Sequence, residues 1–263
     1  MKISYKIQAI IFLCFIMASC KKVIDLKLSG SSSQLVIEGN ITDQPGLQTV
    51  TLSKSVAFDD TNTFPGVSGA TVTMTDGKNA FLFTEKTPGT YINNGVYGRY
   101  NRTYTLKVQL NGQTYTAVST MPDIVNLDSL AVSAQSFGNG TTKTIAVYYD
   151  DPSDVKNQYR IVMYVNNEEV NEIFVRNDQF SDGRRVQALL YQNKITLKTG
   201  DKVDVDMQCI DEPIYNYWYT FSLEQGDGFT GSTTPANPKN NFNTDVLGYF
   251  SAHTTQRRTI IVP

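Results

Sequence analysis

Apolar and polar residues alternate with a period of two through most of this chain, and no other feature restricts the fold as much. Val50 and Leu52 alternate with Thr49 and Thr51, and Val72 and Met74 with Thr71, Thr73 and Thr75. Tyr104, Leu106, Val108 and Leu110 are interleaved with Thr105, Lys107 and Gln109. Later, Tyr159, Ile161, Met163 and Val165 repeat the pattern, and Val203, Val205, Met207 and Cys209 alternate with Asp204, Asp206 and Gln208. Successive side chains of a strand point to opposite faces, so each segment predicts one buried and one wet face. The many threonines suit this, because a β-branched side chain fits a half-buried pleated surface. Turn residues punctuate the runs: Asp43-Gln44-Pro45-Gly46, Asp76-Gly77, Asn111-Gly112 and Asn166-Asn167. Asn-Gly is the strongest of these, since both central residues of a tight hairpin turn need positive φ.

About seven strands over residues 34–121 predict a sandwich of immunoglobulin or transthyretin type. Met121-Pro122-Asp123 interrupts the pattern, and residues 122–263 predict a second β-rich domain. The expected fold class is mostly β: two antiparallel β-sandwich-like domains, with one substantial helix in the second. That helix is Pro213–Gln225, where Ile214, Tyr217, Trp218 and Phe221 recur at helical spacing. Asp211 suits its cap, Pro213 is tolerated in the first turn, and Gly226 supplies a stop. Its aromatics Tyr215, Tyr217, Trp218 and Tyr219 have two readings, a platform for a ligand or a face packed on the second sheet. A long Gly/Pro/Asn/Thr loop, Phe229–Asn243, follows, and exposed Tyr and Asn of such loops are expected to make ligand contacts.

The N-terminus carries an address. Lys2 and Lys6 precede an apolar run from Ile7 to Met17, and Ala18-Ser19-Cys20 follows. A charged start, an apolar run and a small-residue exit predict a secretory signal over residues 1–19. The run is shorter than the ~20 residues that cross a bilayer. Met17-Ala18-Ser19-Cys20 resembles a bacterial lipobox, in which cleavage precedes the Cys and its thiol is lipidated. Lipid on Cys20 would hold the protein to a membrane at ~0.8 kcal/mol per buried methylene. Residues 20–33, ending in the Gly/Ser run Ser29–Ser33, predict a flexible tether.

Little in the chain suggests reactive chemistry. One His and three Cys do not make a zinc cluster or a disulfide framework. With 23 basic against 25 acidic residues and no basic run, a nucleic-acid surface is not expected. Cys14 leaves with the signal and Cys20 takes the lipid, so Cys209 remains, in a core-facing pattern that reads as an inert thiol. His253 lies in a predicted terminal strand, and no Gly-x-Ser-x-Gly elbow occurs. Carboxylates Asp59, Asp60, Asp150, Asp151, Asp154, Asp204 and Asp206 show no spacing that selects a catalytic pair. No catalytic residue, no cofactor and no enzymatic activity are therefore expected. Two further sites are candidates: Asp150, Asp151 and Asp154, in one loop, as calcium ligands, and Ser129 for O-glycosylation, since Asp128-Ser129-Leu130 resembles a short bacterial acceptor motif.

Taken in order, several segments resemble a family of lipoproteins from the phylum Bacteroidota, domain-of-unknown-function family 4249. They are Cys20-Lys21-Lys22-Val23-Ile24-Asp25-Leu26, Leu35-Val36-Ile37-Glu38-Gly39, Ile41-Thr42-Asp43-Gln44-Pro45-Gly46, Val67-Ser68-Gly69-Ala70-Thr71-Val72, Tyr215–Tyr219 and Leu247-Gly248-Tyr249-Phe250. The resemblance implies an outer-membrane lipoprotein and an accessory of a TonB-dependent transporter, and it brings no active-site residues. The first half also resembles the carboxypeptidase-regulatory-like sandwich, with Gly69-Ala70 opening a strand and Thr87-Pro88-Gly89-Thr90-Tyr91 leading to the next. Lys21 and Lys22 stand where some surface-exported lipoproteins carry acidic residues, which leaves the surface and periplasmic faces both open. The expected function is a non-enzymatic accessory or ligand-binding partner of such a transporter. The alternative is a structural or envelope-assembly lipoprotein with only protein partners. A pocket lined by several aromatics would favour the first, and a flat surface the second.

Overall fold

The computed structural model describes residues 33–56, 63–137, 140–224 and 237–263. The signal segment, Cys20 and the rest of the tether before Ser33, Asp59, Asp60, Gln225 and Gly226 lie outside the described residues. The fold is mostly β, with one helix among those residues.

The first sheet uses β1 (Leu35–Thr42), β2 (Gln48–Lys54), β3 (Thr71–Thr75), β4 (Ala80–Thr87), β5 (Thr90–Asn93), β6 (Arg102–Leu110) and β7 (Gln113–Met121). The expected turns form as their chemistry dictates. Asn111 (φ 51°) and Gly112 (φ 76°) reverse the chain between β6 and β7, and Asp76 accepts the Lys78 and Asn79 N–H groups at 3.0 and 2.7 Å. The inward residues of every strand meet in one core, where Ile37, Val50 and Leu52 join Met74, Leu106, Val108 and Ala117.

The eighth strand of this sheet comes from the far end of the chain. β15 (Leu247–His253) pairs with β1 from Val36↔Leu247 to Thr42↔His253, and the strand order is β15-β1-β2-β5-β4-β3-β6-β7. Among the described residues this is the one parallel pairing in an otherwise antiparallel set. Thus Met121 ends the consecutive run of strands, but Phe250 and Ala252 return to fill the first core. Gly248 permits the pairing: it sits at φ 99°, and a Cβ there would lie 2.1 Å from the Ile37 carbonyl oxygen.

The sheet curls until its ends meet. Asn241 stitches the seam, donating to the carbonyls of Val118 (2.9 Å) and Phe250 (2.7 Å) and accepting from the Phe250 N–H (3.0 Å). Ala252 N–H donates to Ser119 Oγ at 2.9 Å. These groups would otherwise be edge donors and acceptors left open.

The second half is a sandwich. One layer is β8 (Ser129–Phe137), β9 (Gly140–Asp150) and β13 (Arg185–Leu190), in the order β13-β9-β8. The other holds β10 (Gln158–Val165), β11 (Glu168–Glu169), β12 (Phe174–Asn177), β14 (Lys202–Ile210) and β16 (Gln256–Ile261). Ile145, Val147 and Ala188 of the first layer face Ile161, Met163, Val205 and Met207 of the second. Asn166 (φ 53°) and Asn167 (φ 72°) make the expected turn between β10 and β11.

The helix α1 spans Glu212–Glu224, close to its expected bounds. Asp211 anchors its start. The Asp211 backbone carbonyl accepts the Tyr215 N–H at 2.9 Å, and Oδ2 accepts from Ser119 Oγ and Thr120 N–H at 2.9 and 2.8 Å. One residue thus ends β14's run, begins the helix and ties both to β7. No described helix is long and apolar enough to cross a membrane.

Candidate functional site

Strands β1 and β15 present a second face away from the first core. Inward go Ile37, Gly39 and Ile41 of β1, with Phe250 and Ala252 of β15. The alternate positions, Val36, Glu38 and Asn40 with Leu247, Tyr249 and His253, are therefore turned outward. Helix α1 settles on this outer face. Ile210, Ile214 and Tyr249 form a small core there, and Tyr215, Tyr217 and Trp218 pack against it. Tyr217 and Trp218 each have ring centroids 5.2 Å from that of Tyr249, and 5.4 Å from each other. This aromatic ridge leaves a cleft on either side.

The first cleft, of about 600 Å3, is lined by Phe64, Pro88, Tyr217, Phe221 and Leu247, with Glu38 and Thr51 as its polar floor. Two of its three aromatics are open to solvent, Phe64 being 58% exposed and Phe221 37%, while Tyr217 is half-buried. Glu38 Oε2 accepts from Thr51 Oγ1 at 3.3 Å and remains exposed. Aromatic and proline faces with one carboxylate and hydroxyls form a typical lining for a ligand that is part apolar and part hydroxylated.

The second cleft, of about 350 Å3, lies across the ridge and holds Asn40, Arg160, Gln208, Trp218, Tyr249 and His253. Arg160 lays its guanidinium over the Trp218 ring, 3.9 Å from the centroid, and its Nη1 donates to Gln208 Oε1 at 3.1 Å. His253 is buried, with Nδ1 3.0 Å from Ser251 Oγ. Desolvation first, and the Arg160 charge second, hold its imidazole down to about 4, so it is neutral at pH 7. Ser251 is itself buried, and no described carboxylate bonds the imidazole. The Ser-His contact therefore ties one strand together and does not present a nucleophile.

The residues singled out in the sequence fall in several places. Of the four helix aromatics, Tyr217 lines the first cleft and Trp218 the second, while Tyr215 and Tyr219 stack on each other with centroids 5.7 Å apart and line neither. The helix packs on the first sheet's β15 as well as on β10 and β12 of the second half, so the packed-face reading holds and extends to the first sheet. The three candidate calcium ligands are not brought together. Asp151 turns inward and accepts from Tyr159 OH and Ser181 Oγ, Asp150 pairs with Arg185 at 3.0 Å, and the Asp154 N–H donates to Asp182. Among the described residues, no group of three or more His, Cys, Asp or Glu is placed to hold a metal ion.

Ser129 is exposed at the start of β8, and its neighbour Asp128 pairs with Arg185. Cys209 is buried, its Sγ accepting from Val125 N–H at 3.3 Å, and burial pushes its thiol up. Asp204 is buried and tied to Lys202 and Arg257 at 3.0 and 3.3 Å. Of the described loop asparagines, Asn237 is exposed and lines the first cleft, whereas three are used inside the fold: Asn240 donates to Val246 O, Asn241 closes the seam, and Asn243 Oδ1 accepts the Thr116 N–H at 2.8 Å. A long loop beside a sheet edge finds unpaired backbone groups there, and primary amides satisfy both kinds.

Sequence reasoning missed Arg160, Glu38 and Asn40, each of which reads as an ordinary wet-face position in an alternating strand. The available signal was Leu247-Gly248-Tyr249-Phe250. Leu247 lines the first cleft, Gly248 allows the parallel pairing, Tyr249 carries the helix and Phe250 fills the core.

The profile of the family described as Domain of unknown function (DUF4249) matches residues 21–259. No curated protein matches the chain. The family match takes in β1, both clefts' residues, the helix and the returning strand β15, and the chain belongs to the DUF4249 family.

Proposed function

We propose that this protein is a Bacteroidota outer-membrane lipoprotein, anchored through Cys20, that acts as a non-enzymatic accessory or ligand-binding partner of a TonB-dependent transporter. The observation that carries the reading is the cleft of about 600 Å3 whose walls include the solvent-open rings of Phe64 and Phe221. Exposed aromatics gathered in a concavity mark a recognition site, whereas scattered ones do not. That favours ligand binding over the alternative of a structural or envelope-assembly lipoprotein with only protein partners. The lipobox-like Met17-Ala18-Ser19-Cys20 and the tether to Ser33 support attachment at a membrane surface. The residues that line the clefts are suited to holding a molecule, with a neutral buried His and carboxylates already engaged or exposed singly.

The test is capture of the native lipoprotein from solubilised outer membranes with an antibody to the folded chain. A TonB-dependent transporter recovered with it supports the proposal. Recovery without any such transporter overturns it.

A further inference from the structure

We propose that the second cleft binds an organic carboxylate, gripped by the guanidinium of Arg160. Arg160 is a half-buried cation with no ion pair among the described residues: its partners are the Trp218 ring and the Gln208 amide oxygen. On strand β16 of the same sheet, Arg257 pairs with Asp204, and Arg258 Nε donates to the Leu127 carbonyl at 2.6 Å. A guanidinium has five donors in a planar fork, and the Gln208 bond uses Nη1. The Trp218 ring backs the guanidinium at 3.9 Å and Gln208 holds Nη1, so the group is partly held in place before any ligand arrives.

What surrounds the fork fits an anion bearing hydroxyls. Asn40, Tyr164 and Tyr249 line the wall, Gln208 is held between Arg160 and Asp206, and His253 stays uncharged. Of the groups that line this cleft, Glu169 is the one carboxylate, and it is exposed. There it would meet the hydroxylated body of the ligand while Arg160 takes its acid group. The volume, about 350 Å3, is at the lower end for ligand pockets and suits one sugar ring or one residue. The carboxylate has two sources of the same chemistry, a sugar acid or a peptide C-terminus. The two clefts are lined by different residues, so this proposal and the transporter reading fail separately.

The chain has one tryptophan, and it is the residue under Arg160, so its fluorescence reports on the cleft directly. The probes are glucuronate against glucose, and a short peptide with a free against an amidated C-terminus. A saturable change with glucuronate or with the free peptide, lost with the neutral counterpart, supports the proposal and identifies the source. Arg160→Gln should weaken that binding about tenfold or more. No response to either carboxylate, equal response to the neutral probes, or binding that survives Arg160→Gln overturns it. If Arg160→Gln does not fold by circular dichroism, the exposed Glu169→Gln decides. Removing the like charge should tighten carboxylate binding roughly two- to fivefold, and unchanged or weaker binding refutes the proposal.

Discussion

Acidification should unload stability through one residue, His253, the only histidine in the chain. The unfolded chain takes up a proton near the ordinary value of 6.5, whereas burial and Arg160 hold the folded imidazole down to about 4. Between those values the unfolded state binds more protons, so stability rises with pH. The contribution is fully present above pH 6.5 and is lost as the pH falls towards 4. A gap of about 2.5 units at ~1.36 kcal/mol each, less the half-protonated folded state at pH 4, comes to about 3 kcal/mol. Buried Asp206 and Asp211, whose carboxyls desolvation pushes up, act in the opposite direction, so the total slope mixes several groups. The difference between the natural chain and His253→Gln isolates the imidazole. The assay is urea unfolding followed by Trp218 fluorescence at pH 7 and pH 4, on the chain from Ser33 onward. The natural chain should lose about 3 kcal/mol more than the variant over that interval. Equal losses would refute the claim that this histidine is held neutral in the fold.

Other substitutions probe the architecture. Gly248→Ala forces a side chain onto the Ile37 carbonyl at positive φ and should cost at least about 3 kcal/mol in urea unfolding. Asn241→Ala leaves two carbonyls and an N–H of the seam without partners and should cost about 2 kcal/mol, with faster amide exchange at Val118 and Phe250. Tyr249→Ala removes the support under the helix, so it should cost about 3 kcal/mol and shift Trp218 emission to the red. Phe64→Ser, at an exposed cleft position, should leave stability within about 0.5 kcal/mol while lowering the amount of transporter captured.

The sequence shows antiparallel hairpins best, because their evidence is local. Asn111-Gly112 and Asn166-Asn167 carry the positive φ values that tight turns demand, and the flanking alternation sets which residues face inward. The helix is equally legible from Ile214, Tyr217, Trp218 and Phe221. Strand β15 is not, in its partner or its direction. It is buried on both faces except at Leu247, so it carries no alternation from which to infer a face, and parallel pairing with β1 spans more than 200 residues. Arg160 is hidden for a different reason. Its own strand reads correctly as one wet and one dry face, but the wet face becomes a cleft wall only after β15 and the helix arrive from elsewhere. The loop asparagines divide for the same reason, Asn237 lining the first cleft and Asn240, Asn241 and Asn243 bonding within the fold, since polarity alone does not distinguish the two uses.

The most direct measurement is the intact mass of the complex captured from native outer membranes. The account predicts a chain beginning at Cys20, heavier than its sequence by its lipid, in near-equal amount with a TonB-dependent transporter. A chain without lipid, or a lipidated chain captured alone, would contradict it.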